Sequence, residues 1–219
     1  MTRRGEVALP ERERKAVAGG SITEAAAGAA AVVLSIVALA GTMPAYLASI
    51  ACIALGVALL AQGGAAAARY SRMLREGPGW DWEPPAELSG GMGAELVAGG
   101  AAVVLGILAI LGISTLLLLP SALIVLGGAM LLSSSATESL SHVTRAGMPE
   151  RFDRLAHHVT AAASGTQVLV GIGAVVLGIL ALVGLAPLTL TLVGFLVGGA
   201  VVLLTGSSVS ARLLPMGHR

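Results

Sequence analysis

Charge is what this chain has least of: Asp, Glu, Lys and Arg make up 11% of its 219 residues, against roughly a quarter in soluble domains. With 56% hydrophobic residues and a mean hydropathy of +0.90, the expected solvent for most of the sequence is lipid. A net charge of +1 gives no polyelectrolyte attraction to nucleic acid, and aromatics at 3% leave the basic clusters without stacking platforms for a single strand. The lone cysteine, Cys52, lies in an apolar run, so it excludes an intramolecular disulfide and a thiolate metal cluster and reads as a small packing residue. No metal site and no cofactor site is expected. The basic residues are almost all arginine in a chain rich in Ala, Gly, Leu and Val, a bias typical of GC-rich bacterial genomes.

Six apolar stretches are present: Ile22 to Ala40, Ala45 to Ala61, Leu96 to Ile113, Leu116 to Leu132, Val168 to Leu185 and Leu188 to Leu204. Each approaches the roughly 17 to 20 residues a helix needs to cross a bilayer. Backbone in hydrocarbon must satisfy its own hydrogen bonds, so such runs are expected to be helices. Short turns around Gly41 to Pro44, Ser114 and Thr115, and Ala186 and Pro187 join them into three hairpins, and longer polar segments separate the hairpins.

The hairpins align with one another. Glu24, Glu95 and Gln167 superpose, as do Gly28, Gly99 and Gly171, then Val32-Val33-Leu34, Val103-Val104-Leu105 and Val175-Val176-Leu177, then Gly41, Gly112 and Gly184. The second helices align through Gly56, Gly127 and Gly199. An even number of crossings per unit makes the repeats parallel. The expected fold class is an all-α membrane protein, six transmembrane helices arranged as three parallel-repeat hairpins about a pseudo-threefold axis. The expected segments are a charged N-terminus (1–20), hairpin 1 (21–75), a Pro/Trp loop (76–90), hairpin 2 (91–146), an amphipathic segment (147–163), and hairpin 3 with the tail (164–219).

All thirteen basic residues (Arg3, Arg4, Arg12, Arg14, Lys15, Arg69, Arg72, Arg75, Arg145, Arg151, Arg154, Arg212 and Arg219) fall in the termini or the two long connections. The short turns carry none. The positive-inside rule then places both termini and the long connections in the cytoplasm of a bacterial inner membrane. The first run, with Arg3 and Arg4 before it and Ala38-Leu39-Ala40 behind, imitates a secretory signal. Its recurrence as the first helix of the second and third hairpins argues against cleavage.

Outside the spans, Pro78, Pro84 and Pro85 interrupt a loop whose Trp80 and Trp82 suit the headgroup zone, with docking of a partner as the other reading. Phe152, Leu155, Ala156 and Val159 recur at helical spacing, which predicts an amphipathic helix on the cytoplasmic surface. His157 and His158 point about 100° apart on such a helix and form no i, i+4 metal pair. Ser21-x-x-Glu24 and Ser164-x-x-Gln167 fit the capping box, so the Glu24/Glu95/Gln167 column reads as helix starts rather than a proton path.

Glycines inside the spans read as helix-packing positions: Gly28 with Ser35, Gly99 with Gly106 and Gly171 with Gly178, each seven apart, and the Gly194-x-x-x-Gly198 motif. Pro120 is expected to kink the fourth helix or mark its start. The serines and threonines after Leu132 and Leu204 line a shallow vestibule or bond their own helix backbone.

The apolar strings Gly106-Ile107-Leu108-Ala109-Ile110, Gly178-Ile179-Leu180-Ala181-Leu182 and the degenerate Ser35-Ile36-Val37-Ala38-Leu39 resemble the HdeD-like acid-resistance membrane proteins, whose chains carry three short hydrophobic hairpins. The likeness covers roughly residues 20 to 213. It implies a non-enzymatic inner-membrane protein associated with stress, and supplies no catalytic residues. The middles of all six spans lack Asp, Glu, Lys, Arg and His, which points the same way. The expected partners are membrane lipids and a homo-oligomer or larger membrane complex. Two other functions fit the sequence: an accessory subunit of a membrane complex docking through Trp80 and Trp82, and a small transporter or channel for an uncharged solute along the axis between hairpins.

Overall fold

The computed structural model describes residues 11–76, 86–145 and 150–211, with side-chain surroundings for 22–68, 93–134 and 165–206. The described residues form six helices: α1 (Glu11–Leu39), α2 (Pro44–Glu76), α3 (Ala86–Ile110), α4 (Thr115–Arg145), α5 (Glu150–Leu182) and α6 (Pro187–Ala211). Each contains a stretch long and apolar enough to cross a membrane: Ile22–Leu39, Pro44–Ala68, Gly93–Ile110, Thr115–Ser134, Gly165–Leu182 and Pro187–Gly206. The chain is an all-helical, multi-pass membrane protein.

Every helix is longer than its apolar run. α1 already begins at Glu11 because Glu, Arg, Lys and Ala favour helix and no proline intervenes. The segment with Phe152 is continuous with α5, which runs unbroken from Glu150 into the third hairpin. The separate amphipathic helix lying on the surface is therefore corrected to the first turns of a spanning helix. Trp80 and Trp82 lie outside the described residues, as does the side chain of Phe152.

The three short turns are built alike. α1 ends in a left-handed glycine, Gly41 at φ +95°, and the same conformation recurs at Gly112 (φ +80°) and Gly184 (φ +95°). The Gly41 N–H donates to the Ala38 carbonyl at 3.0 Å and the Thr42 N–H to the Val37 carbonyl at 3.4 Å. Gly112 and Ile113 donate in the same way to Ala109 and Leu108, and Gly184 and Leu185 to Ala181 and Leu180, at 3.1 Å each. These paired bonds satisfy carbonyls that a helix end in or near lipid would leave orphaned. Two residues on, Met43, Ser114 and Ala186 also take positive φ, at 40°, 39° and 40°. The next helix then starts at once, twice with proline, whose missing N–H costs nothing at that position.

The helices form two tiers. α2, α4 and α6 touch one another around the centre, while α1 lies against α2 and α6, α3 against α2 and α4, and α5 against α4 and α6. Within the spans, 28, 28 and 22% of the residues of α1, α3 and α5 are buried, against 44, 44 and 39% for α2, α4 and α6, which separates outer helices from inner ones. The core consists of Leu55, Leu59, Leu119, Leu123, Leu126, Leu192 and Phe195 with many alanines between them. Large apolar side chains cover the outside, Val97 and Val183 being 73% exposed and Leu169 71%. Water would not tolerate so much apolar surface on a monomer, whereas hydrocarbon does.

Candidate functional site

Polar side chains gather at one depth, at the end of the bundle away from the turns. Glu24 on α1 is buried and its Oε1 accepts a hydrogen bond from Gln62 Nε2 of α2 at 2.6 Å. Glu95 on α3 shares a hydrogen bond with the Ser133 hydroxyl of α4. Ser133 Oγ also accepts from Gln167 Nε2 of α5 at 3.0 Å and lies 3.2 Å from the Met130 carbonyl. Gly63 lets α2 approach this level, since a Cβ there would come within 3.2 Å of Glu95 Cβ. The belt thus links α1 to α2 and ties α3, α4 and α5 together. Glu24 and Glu95 are the charged residues of the described spans.

This geometry corrects the reading of Glu24, Glu95 and Gln167 as helix starts. All three lie well inside their helices, which begin at Glu11, Ala86 and Glu150. A capping box needs free N–H groups at a first turn, and here those N–H groups are already inside a helix. The side chains turn to other helices instead. The partners Gln62 and Ser133 escaped the sequence reading, although the alignment that superposes Glu24 on Glu95 also superposes Gln62 on Ser133 and Thr205. That column was the available signal.

Several other hydroxyls bond their own helix backbone. Ser134 donates to Leu131 O at 2.7 Å, Thr205 to Val201 O at 2.9 Å, Ser49 to Ala45 O at 2.8 Å and Thr191 to Pro187 O at 2.7 Å. Cys52 is buried, with Sγ 3.3 Å from Ala102 O across the α2–α3 contact. Ser35 differs: it is fully buried and its Oγ has no partner.

The glycines singled out by spacing lie at helix contacts, and the contacts run between hairpins rather than within them. A Cβ on Gly99 of α3 would come within 2.7 Å of Gly56 O on α2, one on Gly171 of α5 within 2.9 Å of Gly127 O on α4, and one on Gly28 of α1 within 2.9 Å of Gly199 O on α6. Farther along, Gly106 faces Ser49 and Ile53 of α2, and Gly178 faces Pro120 and Ile124 of α4. Pro120 lies within α4, whose start is Thr115. Gly194 abuts Leu123 of α4, and Gly198 has more room, 3.9 Å from Met130 and 4.0 Å from Leu55.

Along the axis, Leu55, Leu59, Leu123, Leu126 and Met130 surround a cavity of about 10 Å³ with no polar lining. A void of that size is at the lower limit for one water, and an apolar one stays dry. At this level the centre is apolar, its leucines belonging to the buried core. Among the described residues, no three His, Cys, Asp or Glu side chains come together as a metal site would require. No protein-family model, curated protein or solved structure matches this chain.

Proposed function

We propose that this chain is a non-enzymatic protein of a bacterial inner membrane, with both termini cytoplasmic, that serves a structural, stress-associated role. It works by helix packing, by lipid contact and by docking a membrane partner. The observation that carries this reading is where the polar groups are spent: the belt residues bond neighbouring helices, several other hydroxyls bond their own helix backbone, and apolar side chains line the axial cavity. Such an interior suits a bundle that holds itself together. Three copies of one hairpin about a central axis are the proposed architecture, supported by the thrice-built turn and the three equivalent glycine contacts. The apolar strings that resemble the HdeD-like proteins support the stress association.

Two measurements test it. Purified protein in liposomes should pass no more glycerol or other uncharged solute than empty vesicles, and robust, saturable flux would overturn the reading. Deletion of the chain from its host should leave growth at neutral pH unchanged and lower survival of acid shock. Equal survival of both strains would remove the stress role.

A further inference from the structure

The aligned column of Glu24, Glu95 and Gln167 holds two carboxyls and one amide, and a single hydroxyl joins the second carboxyl to the amide. Ser133 of α4 is buried, and its Oγ meets three groups. It accepts from Gln167 Nε2 of α5 at 3.0 Å, stands 3.2 Å from the Met130 carbonyl of its own helix, and shares a hydrogen bond with Glu95 of α3. Glu95 is half-buried in the first turn of the span Gly93–Ile110, so a proton reaches it from the water at that end. α3 packs against α2 and α4. At this level α2 places Gly63 against Glu95 and turns Gln62 to Glu24; its titratable Tyr46 and Cys52 lie toward the turns. α4 has no ionisable group among its described side chains, and Glu24 is the other carboxyl of the described spans.

A serine hydroxyl has one proton to give and two lone pairs with which to accept. Gln167 occupies one lone pair at every pH, because an amide N–H does not titrate. Ionised Glu95 is an acceptor only, so Ser133 gives its proton to the carboxylate. When Glu95 takes up a proton from water, the new O–H donates to the second lone pair of Ser133, and the Ser133 proton swings to the Met130 carbonyl. One O–H bond forms on Glu95 and one hydroxyl rotates. The Met130 carbonyl keeps its helix bond throughout, and no member of the junction is left without a partner in either state.

We infer that Ser133 is a bond-switching residue, which keeps α3, α4 and α5 joined while Glu95 binds and releases a proton. The amide at position 167 fits this role, since a second carboxylate there would have to share the one Ser133 proton with Glu95. The inference rests on the reading of the belt as what holds the bundle together. The two fail differently: a Ser133 variant that loses stability equally at every pH removes the switch and leaves the tie, whereas one that loses none at any pH removes both.

The test follows thermal unfolding of the full chain in detergent micelles from about pH 4, near the ordinary carboxyl range, to about pH 8. Relative to the parent chain, Ser133→Ala should lose about 5 °C more at the alkaline end than at the acid end, because a carboxylate without a donor costs more than a neutral carboxyl. In a Glu95→Gln background, Ser133→Ala should lose the same amount at both ends. Ser133→Thr, which keeps the hydroxyl, should follow the parent across the range. Gln167→Leu should lower the midpoint equally at both ends, since the donor it removes does not titrate. If Ser133→Ala does not fold, difference infrared spectra of the parent against Glu95→Gln decide: the Glu95 carboxyl band should give way to a carboxylate band as pH rises, with the amide bands unmoved. A Ser133→Ala loss indifferent to pH, a pH dependence that survives Glu95→Gln, or a Glu95 band that does not titrate would overturn the inference.

Discussion

The tightest residue-scale constraints are the glycines at helix crossings. A methyl group at Gly99 or Gly127 meets backbone at 2.7 or 2.8 Å, which a real Cβ does not tolerate, whereas Gly100 and Gly128 have nothing within 4 Å. Gly99→Ala and Gly127→Ala should each cost about 1 to 3 kcal/mol by forcing helices apart. Gly100→Ala and Gly128→Ala should be neutral or raise stability by up to about 1 kcal/mol, as measured by denaturant unfolding in detergent micelles. Equal effects at neighbouring positions would refute the crossing geometry. Ser35 makes the opposite prediction. It occupies in the first hairpin the place of Gly106 and Gly178 in the others, with a buried hydroxyl that has no partner. Ser35→Ala should raise stability by about 1 kcal/mol by removing that desolvated group, and the same unfolding midpoint reads it. A lower midpoint would mean that the hydroxyl is bonded.

For the helices and their turns, the strain falls on the three non-glycine residues held at positive φ. Ala186 at φ 40° adopts a conformation that costs an L-residue about 1 kcal/mol. Ala186→Gly relieves the strain but loosens the unfolded chain, for an expected net gain of up to about 0.5 kcal/mol. Gly184→Ala, at φ +95°, should lose about 1 kcal/mol or more. Thermal unfolding of the two variants should therefore move in opposite directions. The polar belt gives a second test: Gln62→Leu removes the donor to Glu24 and should cost about 1 to 3 kcal/mol. Unchanged stability would mean that the bond is not formed in the membrane. The existence of the turns was legible in the sequence but their edges were not: Gly41 falls in the expected first turn, whereas Gly112 and Gly184, which close their helices, lie inside the apolar runs read from hydropathy. The belt was not, because Ser21-x-x-Glu24 is a sound local motif whose meaning is overridden by a partner on another helix. Helix lengths were also hidden, because hydropathy reports where lipid ends and not where a helix of Arg, Glu and Ala ends.

Over the whole molecule, composition and run length were enough to give six helices in three hairpins. Lipid permits few alternatives for backbone that must bond to itself. Which helix lies against which was not legible. A glycine announces a close approach without naming the neighbour, and here the approach joins α2 to α3, α4 to α5 and α6 to α1. The outer tier of α1, α3 and α5 leaves most of its surface to the surroundings, and the inner tier closes the axis. The apolar outer surface requires those surroundings to be hydrocarbon.

The most direct test of that claim is labelling of single cysteines by an impermeant thiol reagent in sealed inverted and right-side-out membranes, on a Cys52→Ala background. Thr42→Cys, Ile113→Cys and Leu185→Cys should all be modified from one side, and Arg72→Cys and Arg154→Cys only from the other. Labelling of any turn from the same side as Arg72→Cys, or of every site from both sides, would contradict six spanning helices in three hairpins.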